Sequence, residues 1–179
     1  MEKNLRKNSL SLRPYRKSDA QYIVNWCKDE ISFRNWCADR YETFPITPDD
    51  MNRQYTDLSD DIDGFYPMTA VDENGIVGHM IMRFTDNGNQ ALRFGFVIVD
   101  DMKRGRGYGK EMLSLALKYA FEILKVGKVT LGVFENNIPA YRCYKSVGFQ
   151  NVEQGQDEYY KIGGENRRCV MMEVTKCRN

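Results

Sequence analysis

Residues 99–113 read VDDMKRGRGYGKEML, and the reading of this stretch decides the fold. An apolar strand pattern ends at Val99. Gly105, Gly107 and Gly109 follow, interleaved with Arg104, Arg106 and Lys110, and a long apolar helix begins at once. Glycine lets backbone approach a ligand closely, and a helix start presents N–H groups without intrahelical acceptors at the positive end of its dipole. Together they form a cradle for a phosphate or pyrophosphate. Two familiar phosphate loops are excluded. Gly109-Lys110 is followed by Glu111, not by the Ser or Thr of a Walker loop. The third glycine comes one residue early for the dinucleotide fingerprint, and no N-terminal βαβ unit surrounds it.

Working outward, three strand patterns precede the loop: Phe65 to Val71, Ile76 to Phe84 and Gln90 to Val99, separated near Asn74-Gly75 and Asn87-Gly88. Asn-Gly between apolar runs signals hairpins, so these strands form an antiparallel meander. After the loop, Met112, Leu113, Leu115, Ala116, Leu117, Ala120, Ile123 and Leu124 surround much of a helix from about Tyr108 to Lys125, which Gly127 stops. Lys128 to Phe134 reads as a strand and Ile138 to Val147 as a helix, and the remainder, including Cys169 to Val174, supplies one or two more strands. At the other end, Leu10 and Leu12 alternate with polar neighbours up to Pro14. Ser18-Asp19 then caps a helix carrying Ile23, Val24 and Trp26. Residues 31–45 are aromatic and irregular, and Thr47-Pro48-Asp49-Asp50 reads as a second helix start. The order βααβββαβαββ describes a single α+β domain over residues 1–179, with a mixed, mostly antiparallel sheet flanked by helices and a disordered segment at residues 1–8.

Composition fits this reading. The 179 residues are 42% apolar and 28% charged, as in an ordinary globular domain. A net charge of +1 gives no global case for nucleic acid or an anionic membrane. No uninterrupted apolar stretch approaches membrane-spanning length, and MEKNLRKNSL lacks a signal-peptide core. Five cysteines without Cys-x-x-Cys spacing, and the single histidine His79, make a poor zinc set. A cytoplasmic protein with reduced thiols and no metal is expected.

Arg104-x-x-Gly107-x-Gly109 resembles the Arg/Gln-x-x-Gly-x-Gly/Ala loop of the GNAT superfamily of N-acetyltransferases. Asn137-x-x-Ala140-x-x-x-Tyr144-x-x-x-Gly148-Phe149 resembles that family's second ligand-binding segment, and every fixed position is met. The detailed resemblance covers Gly95 to Phe149. It implies that acetyl-CoA is the co-substrate. Gly105, Arg106, Gly107, Tyr108, Gly109 and Lys110 would surround its pyrophosphate together with Arg104. The backbone of Val97, Ile98 and Val99 would pair with the pantetheine arm, which Asn137 would also contact. Tyr144 stands where the family's tyrosine protonates the departing thiolate. Such a site must also take a proton from the attacking amine and stabilise an oxyanion. A phenol suits the acid role, because its ordinary pKa lies only about 1.5 units from that of a thiol.

The general base is missing from its usual places. Residues 92–99, LRFGFVIV, hold no carboxylate, and the position five residues before Asn137 is Gly132. Glu135, Asp100 and Asp101 read as solvated loop charges, lone strand histidines such as His79 are usually structural, and no base is assigned. The acidic run Asp57, Asp60, Asp61 and Asp63 reads as a solvated loop or as an attractor for a cationic acceptor, whereas Arg93 would pair with a carboxylate on the acceptor if it faces the cleft. The expected function is direct acetyl transfer from acetyl-CoA to a primary amine, on a small molecule or a peptide N-terminus. Homodimers are frequent in such a family. The alternatives are a catalytically weak CoA-binding or sensing module and, through Lys103 to Lys110, RNA binding.

Overall fold

The computed structural model describes residues 10–153 and 156–176; the disorder expected of residues 1–8 lies outside them. Strand β1 (Ser11–Pro14) leads through a 3-10 turn (Lys17–Asp19) into a one-turn helix α1 (Ala20–Ile23), followed by α2 (Glu30–Cys37) and α3 (Pro48–Asp61). The meander is β2 (Phe65–Asp72), β3 (Gly75–Phe84) and β4 (Ala91–Val99). Helix α4 (Tyr108–Lys118), extended by a π-helical turn (Tyr119–Ile123), leads to β5 (Lys128–Phe134) and α5 (Ile138–Ser146). Three strands close the fold: β6 (Gln150–Asn151), β7 (Glu158–Ile162) and β8 (Glu165–Thr175). The mixed sheet runs β1-β2-β3-β4-β5-β8-β6, with β7 also on β8, and only β4 and β5 pair in parallel.

The α+β class, the meander and the helices after it match the sequence reading. The order differs from βααβββαβαββ by one helix and one strand, since three helices precede the meander and three strands follow α5. Three local features differ as well. Residues 31–45 are not wholly irregular: they hold most of α2, whose N-cap Asp29 accepts from the Ser32 N–H at 2.8 Å. Asp19 does not cap a helix with its side chain. It is buried, and its carboxylate accepts from the Arg13 guanidinium at 2.7 and 3.0 Å, from Thr69 Oγ1 at 2.8 Å and from the Arg16 N–H at 2.9 Å. Asp57, Asp60 and Asp61 lie on α3, not on a loop. That helix starts where expected: Thr47 Oγ1 accepts from the Asp50 N–H and the Asp50 carboxylate accepts from the Thr47 N–H, a reciprocal cap of the first turn.

The sheet has an apolar core on each face. Leu92 and Phe94 of β4 join Met112, Leu113 and Ala116 of α4 on one side, and Phe33, Met51 and Tyr55 of α2 and α3 form the other. A bulge in β4 lets a single strand serve both. Gly95 pairs with Ile81 and Ile98 with His79, so β4 spends two residues, Phe96 and Val97, opposite Met80 alone. Phe96 takes a positive φ of 50°. The extra residue reverses the alternation. Beyond it Val97 and Val99 pack with the α4 core, while Phe96 and Ile98 pack with the α2–α3 core.

Candidate functional site

The site follows from an interrupted ladder. Strands β4 and β5 pair only through Ala91, Leu92 and Arg93 against Lys128, Val129 and Thr130. Beyond Arg93 they separate, and a cleft of about 790 Å³ opens between them. Its walls are the end of β4, the glycine loop with the start of α4, and the α5 segment. Of the residues expected to bind the co-substrate or act on it, Val97, Ile98, Val99, Arg104, Gly105, Gly107, Tyr108, Gly109, Lys110, Asn137 and Tyr144 all line this cleft, and only Arg106 does not.

The loop is shaped by backbone conformation. Gly105 and Gly107 have φ values of 75° and 90°, and a Cβ at either would meet no protein atom within 4 Å. Their absent side chains therefore serve conformation and leave open space. Gly109 has a different role: a Cβ there would sit 3.3 Å from Cys143 Sγ, so its smallness lets α4 approach α5.

The cationic side chains divide their work. Arg104 is turned back into the protein, donating through Nε to the Val99 carbonyl at 3.2 Å and through Nη2 to the Trp26 carbonyl at 3.0 Å. It braces the loop against the end of β4 and the segment after α1. Tyr108 is buried and donates through its hydroxyl to Asp72 at 2.7 Å, with Lys103 3.6 Å from the same carboxylate. Lys110 and Arg106 are exposed, and Lys110 lies on the cleft wall.

Asn137 caps α5, its Oδ1 accepting from the Ala140 N–H at 3.4 Å. About two turns further along, Tyr144 is buried with its ring 6.2 Å from that of Phe149, and burial pushes its phenol well above the ordinary value. Burial likewise raises the neighbouring Cys143 thiol, with Lys110 acting in the opposite direction.

A second cavity, of about 300 Å³, lies on the α2–α3 face. It shares Asn35, Trp36, Phe94, Gly95, Phe96 and Gly132 with the first, so the two meet at the β4 bulge. Trp36 pins that bulge from α2, donating through Nε1 to the Phe96 carbonyl at 2.9 Å. Sequence reasoning missed both residues. The Asp29 cap was a visible signal for α2, but nothing local marks a non-glycine residue for positive φ. Arg93 faces this second cavity, yet its guanidinium is already held by both oxygens of Glu158 at 2.6 and 2.7 Å, and Tyr160 donates to the same carboxylate at 2.6 Å. The Arg93 hydrogen bonds draw the Glu158 pKa down to about 2.

Among the described residues, no Asp, Glu or His lines either cavity. His79 is buried, shares a 2.7 Å hydrogen bond with the Tyr55 hydroxyl through Nε2, and is driven down to about 3 by burial. Asp100 caps a short turn through the Met102 N–H, and Asp101 faces Lys28 at 3.8 Å. At Gly132 a Cβ would lie 2.6 Å from Cys169 Sγ, so the pocket is built around the missing side chain.

Comparison with known proteins places this architecture. The family described as "Acetyltransferase (GNAT) domain" matches residues 9–150. The spermine/spermidine N(1)-acetyltransferase of Bacillus subtilis is 37% identical over 65 residues, covering 36% of this chain and 43% of that protein. The chain thus matches less than half the length of that relative. The spermidine N(1)-acetyltransferase of Escherichia coli K12 is 24% identical over 165 residues, 92% of this chain and 85% of that one. Among solved structures, the Vibrio cholerae spermidine N-acetyltransferase in complex with CoA and spermine superposes with a TM-score of 0.76 at 22% identity, covering 93% of this chain and 95% of that one. The chain belongs to the GNAT acetyltransferase family.

Proposed function

We propose that this protein transfers an acetyl group from acetyl-CoA directly to the nitrogen of an aliphatic primary amine. One observation carries the reading: the cleft between the diverging β4 and β5 runs from the glycine loop to Tyr144 and meets a second cavity at the β4 bulge. One compartment suits a long phosphorylated donor, the other an acceptor. The CoA complex of the Vibrio cholerae relative and the family membership support the donor. Relatives named for acetylating spermidine or spermine support an aliphatic amine as acceptor.

The residues present fit acetyl-CoA. The open space beside Gly105 and Gly107, the first turn of α4 and Lys110 would hold the pyrophosphate, and no carboxylate on the cleft wall opposes it. The β4 edge at Val97 to Val99, released from β5, offers backbone groups to the pantetheine amides. When bound, acetyl-CoA supplies an acyl group activated as a thioester. Tyr144 keeps its proton at neutral pH because burial disfavours the phenolate, so its hydroxyl serves as a donor. Tyr144 would return a proton to the sulfur leaving group of a bound acetyl-CoA as the amine takes the acetyl group. Among the described residues neither wall carries a carboxylate or imidazole, which favours water as the acceptor of the amine's proton.

The test is thiol release from acetyl-CoA with a panel of primary amines, with the acetylated product read by mass spectrometry. Product carrying one acetyl group on nitrogen supports the reading. Tight acetyl-CoA binding without thiol release across the panel would replace it with a CoA-binding module.

A further inference from the structure

The acceptor cavity carries the wrong charge for a polycation. Arg40, Arg83 and Arg93 line it, and no Asp or Glu among the described residues does. Arg83 and Arg93 are register partners on β3 and β4, so the antiparallel ladder sets two guanidinium groups on the same sheet face. Like charges directly opposite one another destabilise a sheet. Glu158 pairs with Arg93 and accounts for one of them. Arg83 is half-buried and its guanidinium makes no hydrogen bond or ion pair among the described residues; burial, then Arg93 and Arg40, lower its pKa, and the more distant Glu158, already shared with Arg93, offsets this only in part. The group stays charged nonetheless. A planar donor fork held in a cavity beside a second arginine is the geometry that carboxylate and phosphate oxygens match.

The same cavity also holds buried acceptors. Asn35 lines both cavities, beside the bulge and Trp36, and its Oδ1 is buried without a donor among the described residues. Gln54 gives its Nε2 to the Arg40 carbonyl at 2.8 Å, leaving Oε1 buried and also without a donor. A buried acceptor without a donor is costly, and an incoming N–H would satisfy it. The acidic residues that would attract a polyamine lie elsewhere: Asp57, Asp60, Asp61 and Asp63 are exposed and line neither cavity.

We infer that the acceptor is a primary amine that also bears an anionic group, its amine held at Asn35 beside the donor cleft and its carboxylate or phosphate held by Arg83 and Arg40. This inference rests on the acetyl-transfer reading and narrows its acceptor.

The experiment compares matched acceptors at saturating acetyl-CoA: δ-aminovalerate against cadaverine, alanine against alaninamide, and aminobutylphosphonate against butylamine, with spermidine alongside. An anion-bearing member is expected to exceed its partner by about tenfold or more in kcat/KM, the size of one charge-assisted contact. The carboxylate and phosphonate arms identify the anion. Arg83→Met should remove the preference mainly through KM of the acceptor, with KM for acetyl-CoA unchanged and the melting temperature unchanged or higher. The same amines titrated calorimetrically into the protein saturated with coenzyme A require no turnover. Binding that needs both the anion and Arg83, without thiol release, would discard acetyl transfer, and the acceptor role with it, while leaving an anion-bearing amine as the ligand of this cavity. Thiol release favouring cadaverine, alaninamide, butylamine or spermidine, indifferent to Arg83→Met, would keep acetyl transfer and overturn the inference.

Discussion

Tyr144 and Cys143 are adjacent on α5, and the chemistry separates them. Both are held protonated by burial, which leaves the phenol a proton donor and the thiol a poor nucleophile. Tyr144→Phe should therefore lower kcat by about 100-fold or more, the scale of one general acid, with little change in acetyl-CoA affinity. Cys143→Ala should retain turnover, because direct transfer needs no acyl-enzyme; a trapped acetyl-cysteine in rapid-quench mass spectra would contradict this. His79 provides an independent check, as the only histidine in the chain. Its pKa near 3 lies below the unfolded value of about 6.5, so protonation favours the unfolded chain. The stability it confers is complete above the unfolded value and is lost as pH falls toward 3. Its imidazole resonances should stay constant from pH 8 to 5, and a midpoint near 6.5 would show that the ring is exposed. Activity should accordingly rise with pH as the neutral amine fraction grows, with no inflection belonging to this histidine.

At the scale of elements, two devices shape the site. The first is the start of α4, where Gly107 takes a φ of 90° and faces open space. Gly107→Ala should cost about 1 kcal/mol of stability from the left-handed backbone alone. Because the added methyl enters the cleft, it should also raise KM for acetyl-CoA more than it alters kcat. The second is the β4 bulge. One extra residue sends Val97 and Val99 to the α4 core and Phe96 and Ile98 to the α2–α3 core. It also places a carbonyl where Trp36 can hold α2 against the sheet. Trp36→Phe keeps much of the ring but removes the donor, and a loss of about 1 kcal/mol in denaturant unfolding is expected.

Across the whole molecule, the sheet is covered on both faces, and its one parallel pairing is abandoned after three residues. That opening creates the two cavities. The edge of the sheet is held by Asp19, which joins Arg13 on β1, Thr69 on β2 and the turn at Arg16. Burial opposes its charge, but these hydrogen bonds prevail and lower its pKa. Its contribution is thus present above the unfolded value near 4 and is lost as pH falls through the folded one. Asp19→Asn should destabilise the protein by about 2 kcal/mol at neutral pH and flatten the acid limb of its stability profile. Much of the donor half was legible in sequence: the strand ending at Val99, the glycines, the cap Asn137 and Tyr144 about two turns later are local and periodic signals, and they converge on one cleft. Other features depend on residues far apart in the chain. Arg93 meets Glu158 across 65 positions, Arg104 meets the Trp26 carbonyl across 78, and His79 meets Tyr55 inside a core. The sequence by itself determined the strands, the loop and the family, because backbone conformation and helix capping are set by neighbours. Only the tertiary structure decided which charges are satisfied and which line the second cavity, because electrostatic pairing is set by whatever the fold brings within a few ångströms.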